Sequence, residues 1–411
     1  MVENIKNFGK ITFASLAIRN FRLYFIGQAI SLSGTWMQTI GQSWLVLVIT
    51  HSGTQLGLVT AVQFVPILFF GPWGGVVADR FDKRKLLYFT QSAAAVLALI
   101  LGILVATATV QLWMIYILAA ALGLVNALDN PARQTFIMEM VGKDNLSNAV
   151  SLNSTQVNLA RVIGPAIGGA FIATLGLAPL FIFNAVSYIA VLIVLKMMSA
   201  RELSPAPVAQ KAAGQLREGF NYVKSTPVLR DTLLMMAIIG TLSYEFSVIL
   251  PLLAQFSFHG NATTYASLTV AMGVGSVAGG LYTASRSKRS ALMLIAAALM
   301  FGATMLLSSA MPNLEFELAA MALVGFFSIN FLALGNSILQ LESSPQMRGR
   351  VMALWAVAFL GSTPIGGPII GAIGQYFNPR WGLAVGGLAA VFAAGLGYWR
   401  LKRDSRPSLV V

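Results

Sequence analysis

Two ionisable side chains stand where hydrocarbon is expected. Glu245 and Arg161 each lie inside an apolar stretch long enough to cross a bilayer. By helical rise, Arg161 falls about 17 Å and Glu245 about 20 Å along their helices, both near mid-membrane. Charge at that depth is costly, so each is a functional candidate. Glu245 can carry a proton whose affinity changes with the wetness of its surroundings, the minimum that proton coupling requires. The alternative is a neutral carboxylic acid with no part in coupling. Arg161 can bias the same equilibrium, or else clamp the carbonyls that Pro165 frees by bending its helix. Hydroxyls and amides supply a second chemistry, hydrogen bonding to a polar ligand. Gln28, Ser31, Thr35, Gln38 and Gln42 form one stripe; Tyr116, Gly123, Asn126 and Asn130 a second; Phe326, Asn330, Ser337 and Gln340 a third. Ser31, Thr35, Gln38, Asn126, Asn330 and Glu245 are the polar candidates at membrane depth. A water-filled cavity would satisfy the same amides without any ligand.

The elements that must position these residues are membrane helices. The chain has 411 residues, of which 57% are hydrophobic and only 10% charged, far from the balance of a soluble domain. Twelve spans are expected, at 21–49, 54–78, 85–108, 111–130, 146–174 and 178–198, then 229–257, 263–285, 290–310, 314–340, 349–376 and 381–400. The net charge of +13 does not point to nucleic acid. Its cations come in short clusters between apolar runs, with no basic face carrying interleaved aromatics. Of 27 Lys and Arg, only Arg380 falls on the side opposite the N-terminus, so both termini are expected in the cytoplasm. The N-terminal segment, with Lys6, Lys10, Arg19 and Arg22, precedes a stretch too long for a signal peptide and reads as retained. There are no cysteines, which removes disulfides and thiolate metal sites, and two isolated histidines offer no metal site either. No cofactor is expected. No Gly-x-x-x-x-Gly-Lys-Ser/Thr is present, so pumping by an intrinsic ATPase is not expected.

One linker divides the chain. Ser204-Pro205-Ala206-Pro207 breaks helix, and Lys211, Arg217, Glu218 and Lys224 keep the following segment at the membrane surface. The expected organisation is a cytoplasmic segment 1–20, a six-helix bundle 21–198, a linker 199–228, a second bundle 229–402 and a tail 403–411. The halves read as a repeat at an offset of a little over two hundred residues. Gly75 to Arg84 is echoed by Gly280 to Arg289, and Gly164-Pro165-Ala166-Ile167-Gly168 by Gly367-Pro368-Ile369-Ile370-Gly371. Two six-helix repeats imply a binding site near mid-membrane, between the halves and exposed alternately to each side.

Gly74-Gly75-Val76-Val77-Ala78-Asp79-Arg80-Phe81-Asp82-Lys83-Arg84-Lys85 ends one apolar run in a tight basic turn just before the next. Glycines allow close backbone approach, and Asp79 sits among fixed cations. Gly75-x-x-x-Asp79-Arg80-x-x-Lys83-Arg84-Lys85 resembles the loop between helices 2 and 3 of major facilitator superfamily transporters, with Asp82 where a second glycine is usual. Gly164-Pro165-Ala166-Ile167-Gly168-Gly169 resembles that superfamily's antiporter motif, associated with exporters. Asp129-Asn130-Pro131-Ala132-Arg133-Gln134, Asn145-Leu146-Ser147-Asn148-Ala149 and Leu152-Asn153-Ser154 are similar to the branch containing the enterobactin exporter and macrolide efflux pumps, the transmembrane secretion effectors. The likeness covers nearly the whole chain.

The resemblance implies an all-α fold of twelve transmembrane helices in two pseudo-symmetric six-helix bundles, with helices 1, 4, 7 and 10 lining a central cavity. It thereby implies that Ser31, Thr35, Gln38, Asn126, Asn330 and Glu245 are the substrate contacts. It implies no enzyme, but a secondary active exporter of a small organic molecule such as a drug, siderophore or secondary metabolite. Export would proceed by alternating access and proton antiport in a bacterial inner membrane. Small molecule, protons and lipid bilayer are the expected partners, with no nucleic acid, and the chain is expected to be monomeric. A facilitator or importer of the same fold is the first alternative; a lipid-translocating or sensing protein on this scaffold is the second. Gly75, Asp79, Arg80, Arg84 and Arg133 would form a cytoplasmic gate. In it, Asp79 pairs with Arg133 and caps the N-terminus of helix 11, where the helix dipole favours a carboxylate.

Overall fold

A computed structural model describes residues 13–204, 215–285, 290–344, 346–359 and 361–404. Those residues are almost entirely helical, and no strand occurs among them. A 3₁₀ turn at Ala14–Ala17 leads into α1 (Arg19–Thr50), α2 (Gly53–Arg80) and α3 (Lys83–Ala106). Leu112–Thr174 is two helices, α4 (112–141) and α5 (143–174), joined at Gly142. Then come α6 (Leu177–Met197) and a linker helix at Gln215–Ser225. Next is α7, made of Pro227–Leu242 and Phe246–Leu252 with a closing π-turn at Leu253–Ser257. The chain continues through α8 (Ala262–Ala284), α9 (Ala291–Ser309) and α10 (Leu314–Leu341). It ends with α11, in two pieces at Arg348–Phe359 and Thr363–Tyr376, and α12 (Pro379–Asp404).

Ten stretches among the described residues are long and apolar enough to cross a membrane. One of them is the α4–α5 pair, and α1, diluted by its polar stripe, falls outside that set. Resolving the pair and adding α1 yields the twelve expected spans. Three differences from the expected spans stand out. The loop expected at 131–145 is helix up to residue 141, and the reversal is confined to Gly142, whose φ of 69° suits a residue without Cβ. The span at 229–257 breaks between Leu242 and Phe246. There the ladder stops with Ser243 N–H donating to Ile239 O and resumes with Val248 and Ile249 donating to Glu245 O. The span at 349–376 is likewise interrupted between Phe359 and Thr363.

Short polar side chains start the helices. Asp82 accepts from Lys85 N–H at 3.0 Å ahead of α3, Asn261 forms a capping box ahead of α8, and Asn313 accepts from Phe316 N–H at 3.1 Å ahead of α10. Asp82 thus takes up a first-turn N–H that the expected glycine could not, which accounts for its presence in the loop.

Two compact units emerge, one of residues 13–42 and 69–204, the other of 43–68 and 215–404. In the first, Phe21 and Tyr24 of α1, Leu87 of α3, Phe136 of α4 and Leu195 of α6 form a buried core, with Tyr24 edge-on to Phe136 at 5.9 Å. In the second, Tyr244 gathers Phe246, Phe301 and Phe359 within 6.0 Å between ring centroids. Expectations for the N-terminal segment through Lys10, for Pro205, Pro207 and Lys211, and for Arg286 to Arg289 fall outside the described residues.

Candidate transport site

The polar stripe of α1 finds its partners inside the first unit. Gln38 Oε1 accepts from Asn184 Nδ2 of α6 at 2.6 Å, and both residues are buried. Thr35 Oγ1 donates to Ser31 O at 2.9 Å and lies 3.3 Å from the Tyr188 hydroxyl, also of α6. Ser31 is buried and Asn126, on α4, half-buried. A helix hides such a side chain in an apolar medium by giving it a hydrogen-bond partner, and α6 does so for Gln38 and Thr35.

Two helical turns toward the start of α1, Gln28 joins a denser group. Asp129 on α4 is 2% exposed, yet it accepts from four donors. Thr90 Oγ1 and Gln91 Nε2 of α3 reach its Oδ1 at 2.6 and 2.8 Å, while Arg133 reaches Oδ2 at 2.5 and 3.1 Å. Arg133 Nη1 then donates to Gln28 Oε1 at 2.6 Å. Asp129 and Arg133 are four apart on one helix, the spacing that brings side chains together. That spacing was the available signal for a pair which sequence reasoning did not make. The expected partner, Asp79, lies on α2 with its side chain outside what the structure describes, and the surroundings of Gly75 are likewise outside it.

The remaining loop cations do other work. Arg80 closes α2 in exposed surroundings. Arg84 donates to Leu195 O at 2.7 Å and Lys196 O at 3.2 Å, satisfying carbonyls at the end of α6 where a cation is favoured. Lys83 and Glu139 form a buried ion pair at 2.8 Å that ties α3 to α4, a contact no sequence signal announced.

The Gly-Pro motif of α5 packs on α1. A β-carbon at Gly164 would lie 2.5 Å from Trp36 Cβ and 2.8 Å from Ser33 O, and one at Gly168 3.3 Å from Met37 Cα. Gly164, Pro165, Gly168 and Gly169 are all buried. One turn before the motif, the Arg161 guanidinium lies over the Trp36 ring at 5.0 Å, a cation–π contact.

The second unit holds the counterpart. A β-carbon at Gly366 of α11, the residue before the repeated motif, would meet Thr241 O and lie 2.8 Å from Glu245 Oε1, so α11 packs against the break in α7, while the motif's own Gly367 and Gly371 face the α2 backbone at Gly57 and Gly53. Glu245 fills that break and is 2% exposed. The side chain of Thr363, the first residue of the second piece of α11, stands beside it, and its Oε1 is without a hydrogen-bond partner. A carboxyl group therefore stands where two interrupted helices meet. Asn330 of α10 is bound within its own unit: the Thr283 hydroxyl of α8 donates to its Oδ1, and its Nδ2 donates to Phe326 O at 2.6 Å. No cluster of metal-ligating side chains occurs among the described residues.

Residues 10–405 match the family model described as transmembrane secretion effector. The staphyloferrin A transporter of Staphylococcus aureus is 26% identical over 87% of this chain and 90% of its own length. The enterobactin exporter EntS of Shigella flexneri is 26% identical over 92% of this chain and 88% of its own. Among solved structures, an inward-facing bacterial homologue of the human lysosomal transporter Spinster superposes with a TM-score of 0.75 at 14% identity, covering 95% of this chain and 98% of that one. The nucleoside transporter NupG, in a mutant form, superposes with a TM-score of 0.73 at 14% identity. These relatives are transporters rather than enzymes, and the structural neighbours share the major facilitator fold. The chain is thus a multi-pass membrane transporter of the major facilitator superfamily and belongs to its transmembrane secretion effector family.

Proposed function

We propose that this protein exports a small organic molecule of the siderophore or drug type, by alternating access, in exchange for protons, with Glu245 as the coupling acid. The observation that carries the reading is the Glu245 carboxyl, buried at the break of α7, with one oxygen unpartnered and the other end of its environment formed by the glycines of α11. Interrupted helices form ion and proton sites in many transporters because their backbones are free to rearrange around a bound charge. A carboxyl at such a joint changes its proton affinity whenever the helices move and water enters or leaves. The relative named as an exporter supports the direction. Arg161, stacked on Trp36, would set the electrostatic bias of the first unit, with Ser31, Thr35, Gln38 and Asn126 supporting the substrate path.

The test is transport in proteoliposomes under an imposed proton gradient. Glu245→Gln should abolish gradient-driven efflux, retain substrate binding and flatten the pH dependence of that binding. Wild-type pumping by Glu245→Gln against a gradient would remove Glu245 from coupling. Substrate equilibration without proton flux would instead favour a facilitator.

The turn at Asp79 is proposed as the acid of a cytoplasmic gate that includes Gly75, Arg80, Arg84 and Arg133. Asp79→Asn should raise the reactivity of cytoplasmic-side cysteine probes and cut transport while the protein still inserts. Unchanged reactivity would reduce the turn to a topological element.

A further inference from the structure

We propose that a pocket enclosed by α8, α9 and α10 holds an acyl chain of a phospholipid from the cytoplasmic leaflet. The pocket lies wholly within the second unit and has a volume of about 180 Å³. Its walls are apolar, formed by Met293, Ala297 and Met300 of α9 and Phe327 of α10. The α9 residues recur at spacings of three and four and so share one helix face. Ala296 and Ala297, small side chains between Met293 and Met300, leave room on that face.

The floor is the pair Thr283 and Asn330. These two satisfy each other, and Asn330 also donates to Phe326 O, so the floor already has its hydrogen bonds and requires no polar group from a ligand. The walls therefore decide the chemistry of the occupant, and they call for hydrocarbon. Size narrows it further. Pockets for whole drug-sized ligands run to about 300–1,000 Å³, so this one suits a stretch of chain rather than a substrate molecule.

Position decides the source. Tyr282, 43% exposed, and Met300, 42% exposed, stand at the opening, on helices that span the membrane. What surrounds an exposed apolar opening on such helices is lipid tail. Tyr282, Thr283 and Met293 flank the α8–α9 connection, which carries Arg286, Lys288 and Arg289 in the sequence and so marks the cytoplasmic end. The flexible methionines can mould to a chain of variable kink.

The experiment uses the full-length protein in liposomes of phosphatidylethanolamine and phosphatidylglycerol doped with a phospholipid bearing a photoactivatable diazirine on one acyl chain. Mass spectrometry after illumination should find label concentrated on peptides covering 282–300 and 327–334, in a stoichiometry that saturates near one. Ala297→Phe, which fills the pocket, should lower that labelling at least five-fold. Met300→Trp, altered at the exposed mouth, tests the same point if Ala297→Phe folds poorly. Leu299→Trp, on an exposed position outside the lining, should leave the labelling unchanged. Labelling spread evenly over all exposed helices, or equal labelling of these peptides in wild type and both pocket variants, would overturn the proposal and leave only annular lipid.

Discussion

Glu245 and Asp129 are both buried carboxylates, yet their company differs in kind. Asp129 accepts from Thr90, Gln91 and twice from Arg133, so its charge is neutralised and its lone pairs are used. Glu245 has only the Thr363 side chain beside it and an oxygen without any donor. A fully coordinated carboxylate is a structural tie, whereas a sparsely coordinated one is free to exchange a proton. Removing the charge at Asp129 should therefore injure the fold. Asp129→Asn leaves Arg133 without its counter-charge, and breaking a buried pair costs about 3 kcal/mol, at the low end of the usual range because the Arg133 side chain is 21% exposed. A thermal melt in detergent should show the loss, and Asp129→Asn combined with Arg133→Gln should recover part of it. A melting temperature unchanged from wild type would mean that the pair contributes nothing.

At the scale of elements, the two Gly-Pro motifs do the same job in their respective units. Each lets one helix lie against another at backbone distance, α5 on α1 through Gly164 and Gly168, α11 on α2 through Gly367 and Gly371. In lipid such packing is the main source of helix association, because no hydrophobic effect drives helices together there. Gly164→Ala would place a methyl group 2.5 Å from Trp36 Cβ and 2.8 Å from a carbonyl of α1, so the helices must part. Overpacking of this kind costs about 1–3 kcal/mol. Gly168→Ala, whose new atom would come no closer than 3.3 Å to Met37 Cα, should be milder. The order of melting temperatures, wild type above Gly168→Ala above Gly164→Ala, is the measurement. Reversal of the two variants would contradict the packing account.

For the molecule as a whole, charge placement predicts orientation. Arg380, the cation assigned to the outer side, is spent on the protein itself, donating to the Ser309 and Met311 carbonyls and lying 5.4 Å from the Phe258 ring. Tyr376, Phe377 and Trp381, all at least 60% exposed, cluster beside it as an interfacial aromatic belt would. The proposed topology puts both termini and Lys211 in the cytoplasm. Single cysteines at Ser52 and Asn313 should react with an impermeant maleimide added outside intact cells, and one at Lys211 should not. The chain has no native cysteine to confuse the readout. Labelling at 211 with protection at 52 would invert the assignment.

How much of this was legible in advance follows from the range of the forces involved. Apolar run length and cation placement act along the chain, so the twelve spans and the membrane class could both be read from residues in order. The same is true of the repeated Gly-Pro motif, whose small residues need no partner to be noticed. Partner choice was not legible, because it depends on which helices become neighbours. Only the fold brought Asn184 to Gln38, Glu139 to Lys83, and Thr90 and Gln91 to Asp129. The breaks in α7 and α11 belong to the same class. Nothing in Ser243-Tyr244-Glu245 forbids a helix. What interrupts the ladder there is the set of contacts available nearby, the Gly386 carbonyl for Ser243, the Ser328 carbonyl for Tyr244 and Thr363 for Glu245. Sequence alone determined that a charge lies deep in the membrane; tertiary structure decided that it sits at the joint of two broken helices, because only neighbouring helices can offer the hydrogen bonds that make a break tolerable in lipid.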